Sequence, residues 1–156
     1  MKRLFALTMI SLPVSLFADT VTAKTAFYDA EKAVTYRQNA LNVMYHNFKT
    51  MGDMIKGDVP FESEIFAERA SDFAAMTAIP WAGFQVEGAM PGTNTDALPE
   101  IWQNWDDFKQ HYEQLQTDAQ NLKQLATAGA SRTELGQAVK TAAESCKGCH
   151  DDYRAD

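Results

Sequence analysis

The sequence Cys146-Lys147-Gly148-Cys149-His150 stands near the carboxyl end of a chain of 156 residues. A Cys-x-x-Cys-His stretch is the attachment signal of a c-type haem, in which both thiols form thioethers and the imidazole can ligate the iron. On a helix, positions i, i+3 and i+4 share one face, so Cys146, Cys149 and His150 would all point at one flat cofactor. The motif therefore predicts one covalently bound haem c per chain, with His150 as an iron ligand.

Two other uses of paired cysteines fit this position less well. A Cys-x-x-Cys redox pair ordinarily opens a helix after a strand, whereas this pair closes a helical pattern. A structural zinc site takes four ligands in spaced pairs, and the sequence has no cysteines beyond these two. Haem attachment is therefore the favoured interpretation.

The amino-terminal residues have the pattern of a secretory signal peptide. Lys2 and Arg3 precede a mostly apolar stretch that ends at Ala18, ahead of polar residues. A basic start, a short apolar run and a small residue define such a peptide, and the run is too short to span a bilayer comfortably. We expect cleavage after Ala18, with Ala23 and an uncleaved anchor as the alternatives. The chain then divides into residues 1–18, the signal peptide, and residues 19–156, a single domain.

Export predicts where the protein is located, and the charge of the mature chain limits the partners that it can bind. Covalent haem attachment in bacteria takes place outside the inner membrane, so we expect a periplasmic protein. Loss of Lys2 and Arg3 leaves 12 basic against 21 acidic residues, a formal net charge near −9. This balance argues against nucleic acid and anionic membranes as partners, and nothing in the mature chain is apolar enough to insert into a membrane.

Four segments have the apolar periodicity of helices. The first covers residues 29–55, where Arg37 is the one charged residue on the apolar stripe, and the second covers residues 62–77. Residues 78–99 are rich in proline and glycine, which predicts a long loop that packs through its aromatic residues.

A third long helix is predicted from Pro99 to Gly129, and a last one from Ser131, which forms a capping box with Glu134. The apolar stripe of the last helix runs into the haem motif through Leu135, Val139, Ala142, Cys146, Cys149 and Tyr153. Four such helices indicate an all-α, antiparallel four-helix bundle, whose cofactor sites lie between facing helices. The haem is therefore predicted in the core near one end of the bundle.

With these elements in place, the chain resembles the cytochrome c-prime family, the class II c-type cytochromes. The resemblance covers the whole mature chain and implies a left-handed bundle, a pentacoordinate haem and usually a homodimer. Tyr36 and Val43, apolar residues on the outer side of the first helix, fit the homodimer. The matching stretches are Tyr36-Arg37-Gln38 with Ala40-Leu41, Pro80-Trp81, Asp96 with Pro99-Glu100-Ile101-Trp102, and Cys146 to Arg154.

The resemblance also assigns roles to individual residues. Cys146 and Cys149 match the thioether positions, and His150 matches the proximal iron ligand. Arg37 and Gln38 match positions that contact the haem propionates, and Asp96 matches a loop position near the haem edge. A guanidinium on an apolar stripe needs an anionic partner; the alternative is that its stem lies on the bundle while its head reaches water. Asp151 and Arg154 match positions beside His150.

The function depends on which residue faces the iron on the side opposite His150. Leu41 matches a bulky apolar residue over the open iron face, which excludes water and most anions but admits the small gases NO and CO. This implies a protein that binds these gases and exchanges single electrons with periplasmic redox partners.

Two alternatives to this function stay open. Met44 follows on the same face, and its thioether could be the sixth ligand of a low-spin electron carrier, although buried methionines usually serve packing. A peroxidase would need a polar acid–base group that the Leu41 face lacks, so we expect no enzyme. His46 and His111 are interpreted as surface histidines.

Overall fold

The computed structural model describes Phe27, residues 29–86 and residues 94–155, so the predicted signal peptide lies outside the described residues. These residues form four long helices and two short helical elements. In chain order they are α1 (Ala30–Lys56), α2 (Ser63–Met76), a 3-10 helix (Pro80–Phe84), α3 (Glu100–Gln103), α4 (Trp105–Thr127) and α5 (Arg132–Tyr153).

Local signals set the ends of the long helices. The Asp29 carboxylate accepts hydrogen bonds from the backbone of Glu31 at the start of α1, and Gly57 closes that helix with φ of 90°, a conformation that glycine adopts without strain. At the start of α5, the predicted capping box forms, because the Ser131 hydroxyl accepts from the backbone of Glu134 and the Glu134 carboxylate accepts in return. These ends agree with the sequence because each depends on residues close together in the chain.

The long helices pack in chain order, with α1 on α2, α2 on α4, α4 on α5, and α5 closing on α1. The connections at residues 57–62 and 128–131 are too short for anything but antiparallel neighbours. One hydrophobic core runs between all four helices and includes fully covered side chains from each of them: Met51, Phe66, Leu122 and Ala142. The predicted all-α four-helix bundle is confirmed.

Two details differ from the prediction. The segment expected as a loop contains the 3-10 helix Pro80–Phe84, which buries Trp81 and Phe84. The third long helix is not continuous from Pro99, because Asn104 leaves helical geometry at φ −122° and ψ 46° and separates α3 from α4. The break lets Ile101 enter the core while the Trp102 indole donates to the Phe84 carbonyl oxygen at 2.8 Å; both contacts depend on tertiary structure.

Aromatic rings fill the end of the bundle that carries the haem motif. The Phe108 ring lies at their centre, with ring centroids 5.0 to 5.9 Å away. We call Phe108 and its five neighbours the aromatic cluster: Trp81, Phe84, Trp105, Tyr112 and Tyr153. Trp102 packs on Phe84 at 6.4 Å, so all three tryptophans of the chain lie in or against this cluster.

Within the described part of the chain, none of the helices combines the length and the apolar character that crossing a bilayer requires.

Gly83 and Gly52 make a matched pair for testing how the 3-10 helix packs on α1. A Cβ atom at Gly83 would lie 2.7 Å from the Ala33 carbonyl oxygen and 2.9 Å from Arg37 Cβ, whereas a Cβ at Gly52 would meet nothing within 4 Å. We expect Gly83→Ala to lower the free energy of unfolding by about 1–3 kcal/mol through overpacking. Gly52→Ala, inside α1, should raise it by about 0.5–1 kcal/mol, because alanine favours the helix. Thermal unfolding of the two variants followed by circular dichroism measures both, and equal effects of the same sign would contradict this packing.

Candidate haem site

The haem motif occupies the last turns of α5. Cys146 and Cys149 are free, half-buried and packed against the core, and His150 lies exposed on the adjoining flank of the helix. Tyr153, one turn beyond Cys149 and His150, is buried. The predicted inward stripe of this helix is therefore present, and it carries both thiols to the boundary between the core and the solvent.

The acid–base properties of the two thiols argue against a redox pair. Burial raises the pKa of Cys146 to about 11 and that of Cys149 to about 12, and nearby negative charge adds to both shifts. A redox-active Cys-x-x-Cys pair depends on a lowered thiol pKa, because the thiolate is the reactive species. Both sulfurs are instead protonated at neutral pH, which suits cysteines that end as uncharged thioethers.

His150 is held in the state that a metal ligand requires. Partial burial of the ring and then the neighbouring Arg154 cation lower its pKa, and Asp151 opposes them. At neutral pH the imidazole is therefore uncharged, with a nitrogen lone pair available for iron. Among the described residues no group of three or more histidine, cysteine or acidic side chains is arranged to hold a bare metal ion. The donor set thus fits a covalently attached haem better than zinc.

Two carboxylates of α4 hold the haem-bearing helix in place. The Tyr153 hydroxyl donates to Asp107 Oδ2 at 2.5 Å, and the Ser145 hydroxyl donates to Asp118 Oδ2 at 2.6 Å. These bonds lie on either side of the motif along α5. The sequence interpretation missed both carboxylates, because nothing in the local pattern distinguishes them from other acidic residues on the flank of α4.

Residues 94–98, which we call the strap, connect α1 with the end of α5. The Ala155 N–H donates to the Asp96 carbonyl oxygen at 2.8 Å, and the Leu98 N–H donates to the Tyr153 carbonyl oxygen at 3.0 Å. The Asp96 carboxylate lies 3.7 Å from the Arg154 guanidinium. The structure therefore brings Asp96 to the carboxyl end of the haem helix and engages it mainly through its backbone.

Arg37 is buried at the other end of the strap, with 1% of its surface exposed. Its guanidinium donates to the Gly83 carbonyl oxygen and to Thr95 Oγ1, both at 3.0 Å, and lies over the Phe84 ring at 4.2 Å. Burial lowers its pKa to about 10, so it stays charged at neutral pH. The alternative in which its head reaches water is wrong; contact with a propionate stays a prediction.

The remaining predicted residues of α1 lie close to Arg37 in sequence. Gln38 is exposed, and its side-chain amide donates to the Asn94 carbonyl oxygen at 2.9 Å, which adds a second link to the strap. Leu41, one turn after Arg37, is half-buried against the core, whereas Met44 is buried within it at 7% exposure. Arg37 and Gln38 therefore meet the strap, and through it they are joined to the end of α5.

The two remaining histidines differ. His46 is exposed on α1, in line with the prediction. His111 is also at the surface but is partly covered: its side chain is 26% exposed and lies between two carboxylates, 3.6 Å from Asp107 Oδ2 and 3.5 Å from Asp152 Oδ2. Its ring also packs 5.7 Å from Tyr153. Because α4 packs against α5, a position on the flank of the α4 stripe is covered by the haem helix.

Comparison with known proteins gives a consistent result. Residues 32–154 match the sequence model of the family described as Cytochrome C'. The cytochrome c' of Halomonas halodenitrificans is 38% identical over 131 residues, which cover 82% of this chain and 99% of that protein.

Solved structures show the same likeness. Cytochrome c prime from Shewanella frigidimarina has a TM-score of 0.79 at 38% identity and covers 83% of this chain and 99% of its own. A nitric oxide complex of a leucine-to-alanine mutant of cytochrome c prime from Alcaligenes xylosoxidans has a TM-score of 0.76 at 35% identity, with 83% and 98% covered.

Removing the predicted iron ligand tests the site directly. We expect His150→Ala to keep its covalent haem, because both thioether cysteines remain, and to shift the visible absorption spectrum, because the axial nitrogen is lost. Intact mass and absorption spectra measure the two effects. His46→Ala is the matched control, since that exposed histidine should leave both unchanged. A spectrum of His150→Ala that matches the unmodified protein would remove His150 from the ligand role.

Proposed function

Because the chain belongs to the cytochrome c' family and therefore carries haem c, we propose that it is a periplasmic protein that binds NO, and CO, at an open iron position and exchanges single electrons with redox partners. Cys146 and Cys149 hold the haem and His150 is its single protein ligand. When bound, the haem supplies an iron atom that changes its charge by one electron and accepts a small ligand. In this proposal the chain is a gas-binding electron carrier and has no enzyme activity. Export is checked by the mass of the mature chain, which should begin at Asp19.

The observation that carries the proposal is the contrast between Leu41 and Met44. Met44 is enclosed by the hydrophobic core at 7% exposure, where its side chain packs against other apolar residues. Leu41 is half-buried at the edge of that core, one turn from Arg37. This supports Leu41 as the residue over the open iron position and Met44 as packing.

An apolar side chain over the iron, here Leu41 and called the lid, explains why the site would bind NO and CO and not water or anions. Water and anions lose strong hydration when they enter an apolar space, and a leucine side chain returns no hydrogen bond to compensate them. NO and CO are uncharged and weakly hydrated, so they lose little hydration free energy when they enter the same space. Consistent with this, a solved structure of an arginine-to-lysine variant of cytochrome c prime from Alcaligenes xylosoxidans is a ferrous form with bound NO.

Arg37 and Gln38 complete the proposed site at the edge of the haem. Arg37 keeps its charge at neutral pH and is fixed by Gly83 and Thr95, so it presents a positioned cation to the haem carboxylates. Gln38 is exposed beside it and adds a neutral donor. In this proposal Asp96 contributes through its backbone, which keeps its negative charge away from the propionates.

The exposed face of α1 supports a homodimer. Tyr36 and Val43 stand two helical turns apart on this face, with 37% and 49% of their surfaces exposed. Covering such residues with a second copy of the chain removes apolar surface from water. Sedimentation equilibrium should therefore give twice the mass of one chain, and Val43→Glu should give the single-chain mass. A monomer before substitution would contradict the dimer.

The lid is tested by shortening it. We expect Leu41→Ala to raise the affinity of the reduced protein for CO, because a ligand no longer has to displace the leucine side chain. Met44→Leu is the matched control and should leave CO binding and the spectrum unchanged. Titration with CO monitored by absorbance measures both variants. If Met44→Leu instead converts a protein that ignores CO into one that binds it, Met44 is the sixth ligand and the protein is a low-spin electron carrier.

A further inference from the structure

Tyr153 joins the haem motif to the aromatic cluster. It follows Cys149 by four residues on the buried face of α5, and its ring lies 5.4 Å from that of Phe108. Phe108 also contacts Trp105, whose ring lies 5.6 Å from that of Phe108 and is half-buried at the surface. A continuous row of packed rings therefore runs from the haem helix to solvent.

The hydrogen bond of Tyr153 distinguishes it from an ordinary core aromatic. Its hydroxyl donates to the Asp107 carboxylate at 2.5 Å. A phenol becomes much more acidic when it loses an electron, so its oxidation is easiest where a base can take the proton at once. The indole N–H groups of Trp81 and Trp102 donate only to backbone carbonyl oxygens, which are poor bases.

We propose that Tyr153 is a redox-active residue: in the slow reaction by which hydrogen peroxide oxidises a haem beneath an apolar side chain, it returns electrons to the haem and passes the oxidation through the aromatic cluster to Trp105 at the surface. The proposal rests on the proposed haem site. It adds a protective function to gas binding, because oxidising equivalents leave the cofactor before they destroy it.

Hydrogen peroxide takes two electrons from the haem and two protons from the solvent and leaves as two molecules of water. Tyr153 returns these electrons one at a time. In each turn its O–H bond breaks, the proton moves to the Asp107 carboxylate, and a neutral tyrosyl radical remains. Trp105 then supplies one electron past Phe108, the proton returns from Asp107, and Tyr153 is restored. A one-electron reductant in solution, such as ascorbate, finally reduces the oxidised indole of Trp105.

The surroundings of Tyr153 agree with this role. Burial first, and then the Asp107 carboxylate, raise its pKa, so the phenol is protonated at neutral pH and must lose its proton when it is oxidised. The His111 ring lies edge-on to the Tyr153 ring at 5.7 Å and 3.6 Å from the Asp107 carboxylate. It therefore places a polar group beside the proton that Asp107 accepts from Tyr153.

The test compares haem-loaded protein with three variants after exposure to hydrogen peroxide. Tyr153→Phe keeps the ring but removes the hydroxyl, Asp107→Asn keeps the hydroxyl but removes the base, and Tyr45→Phe is the control at a tyrosine that is 55% exposed on α1. Intact mass first establishes that all four carry covalent haem, so a failure of the haem site is detected separately. The readouts are freeze-quench electron paramagnetic resonance, the rate of loss of haem absorbance, and peptide mapping of oxygen addition.

We expect a tyrosyl radical signal and oxidised Trp105 in the unmodified protein and in Tyr45→Phe. In Tyr153→Phe the signal should disappear and the haem should be destroyed several-fold faster; Asp107→Asn should weaken the signal while the ring remains. Ascorbate should suppress the oxidation of Trp105. The proposal is overturned if Tyr153→Phe behaves like the unmodified protein, or if Trp105 is oxidised no more than the exposed Tyr45.

Discussion

The burial of the Arg37 guanidinium is the interaction on which the haem end of the bundle depends. A buried cation costs several kcal/mol unless hydrogen bonds and favourable charge distributions replace its hydration. Here the Gly83 carbonyl, the Thr95 hydroxyl and the face of Phe84 provide them. The same contacts fix the 3-10 helix and the strap against α1. One side chain therefore holds two parts of the connection between α2 and α3, whose sequence has no helical periodicity.

The strap extends this order to the haem-bearing helix. It begins at residues bonded to Arg37 and Gln38 and ends in backbone bonds to Tyr153 and Ala155. On the opposite flank, Asp107 and Asp118 of α4 hold α5 through Tyr153 and Ser145. The motif is therefore fixed from two directions, while His150 stays exposed and uncharged. Rigid support on one side and an accessible ligand on the other are what a covalently attached, gas-binding haem requires.

The sequence predicted those features that depend on neighbouring residues. The long helices and the capping box at Ser131 each involve residues within a few positions of one another, and the haem motif is itself five residues long. The features it did not predict join distant residues: Arg37 meets Gly83 and Thr95 across 46 and 58 positions, and Ser145 meets Asp118 across 27. The break at Asn104 and the partial covering of His111 by α5 have the same origin, because tertiary packing overrides a locally regular pattern. The apolar period could place Leu41 and Met44 on one face, but only packing separates the half-buried from the enclosed side chain.

In the proposed site the haem has one protein ligand, His150, and an open iron position beneath the apolar side chain of Leu41. The visible spectrum of the reduced protein, recorded with and without CO, tests this most directly. A pentacoordinate iron predicts a weak, broad absorption band in the reduced state and a clear change when CO is added. A sharp, strong band that CO leaves unchanged would show that a second protein ligand occupies the iron, and would contradict the account.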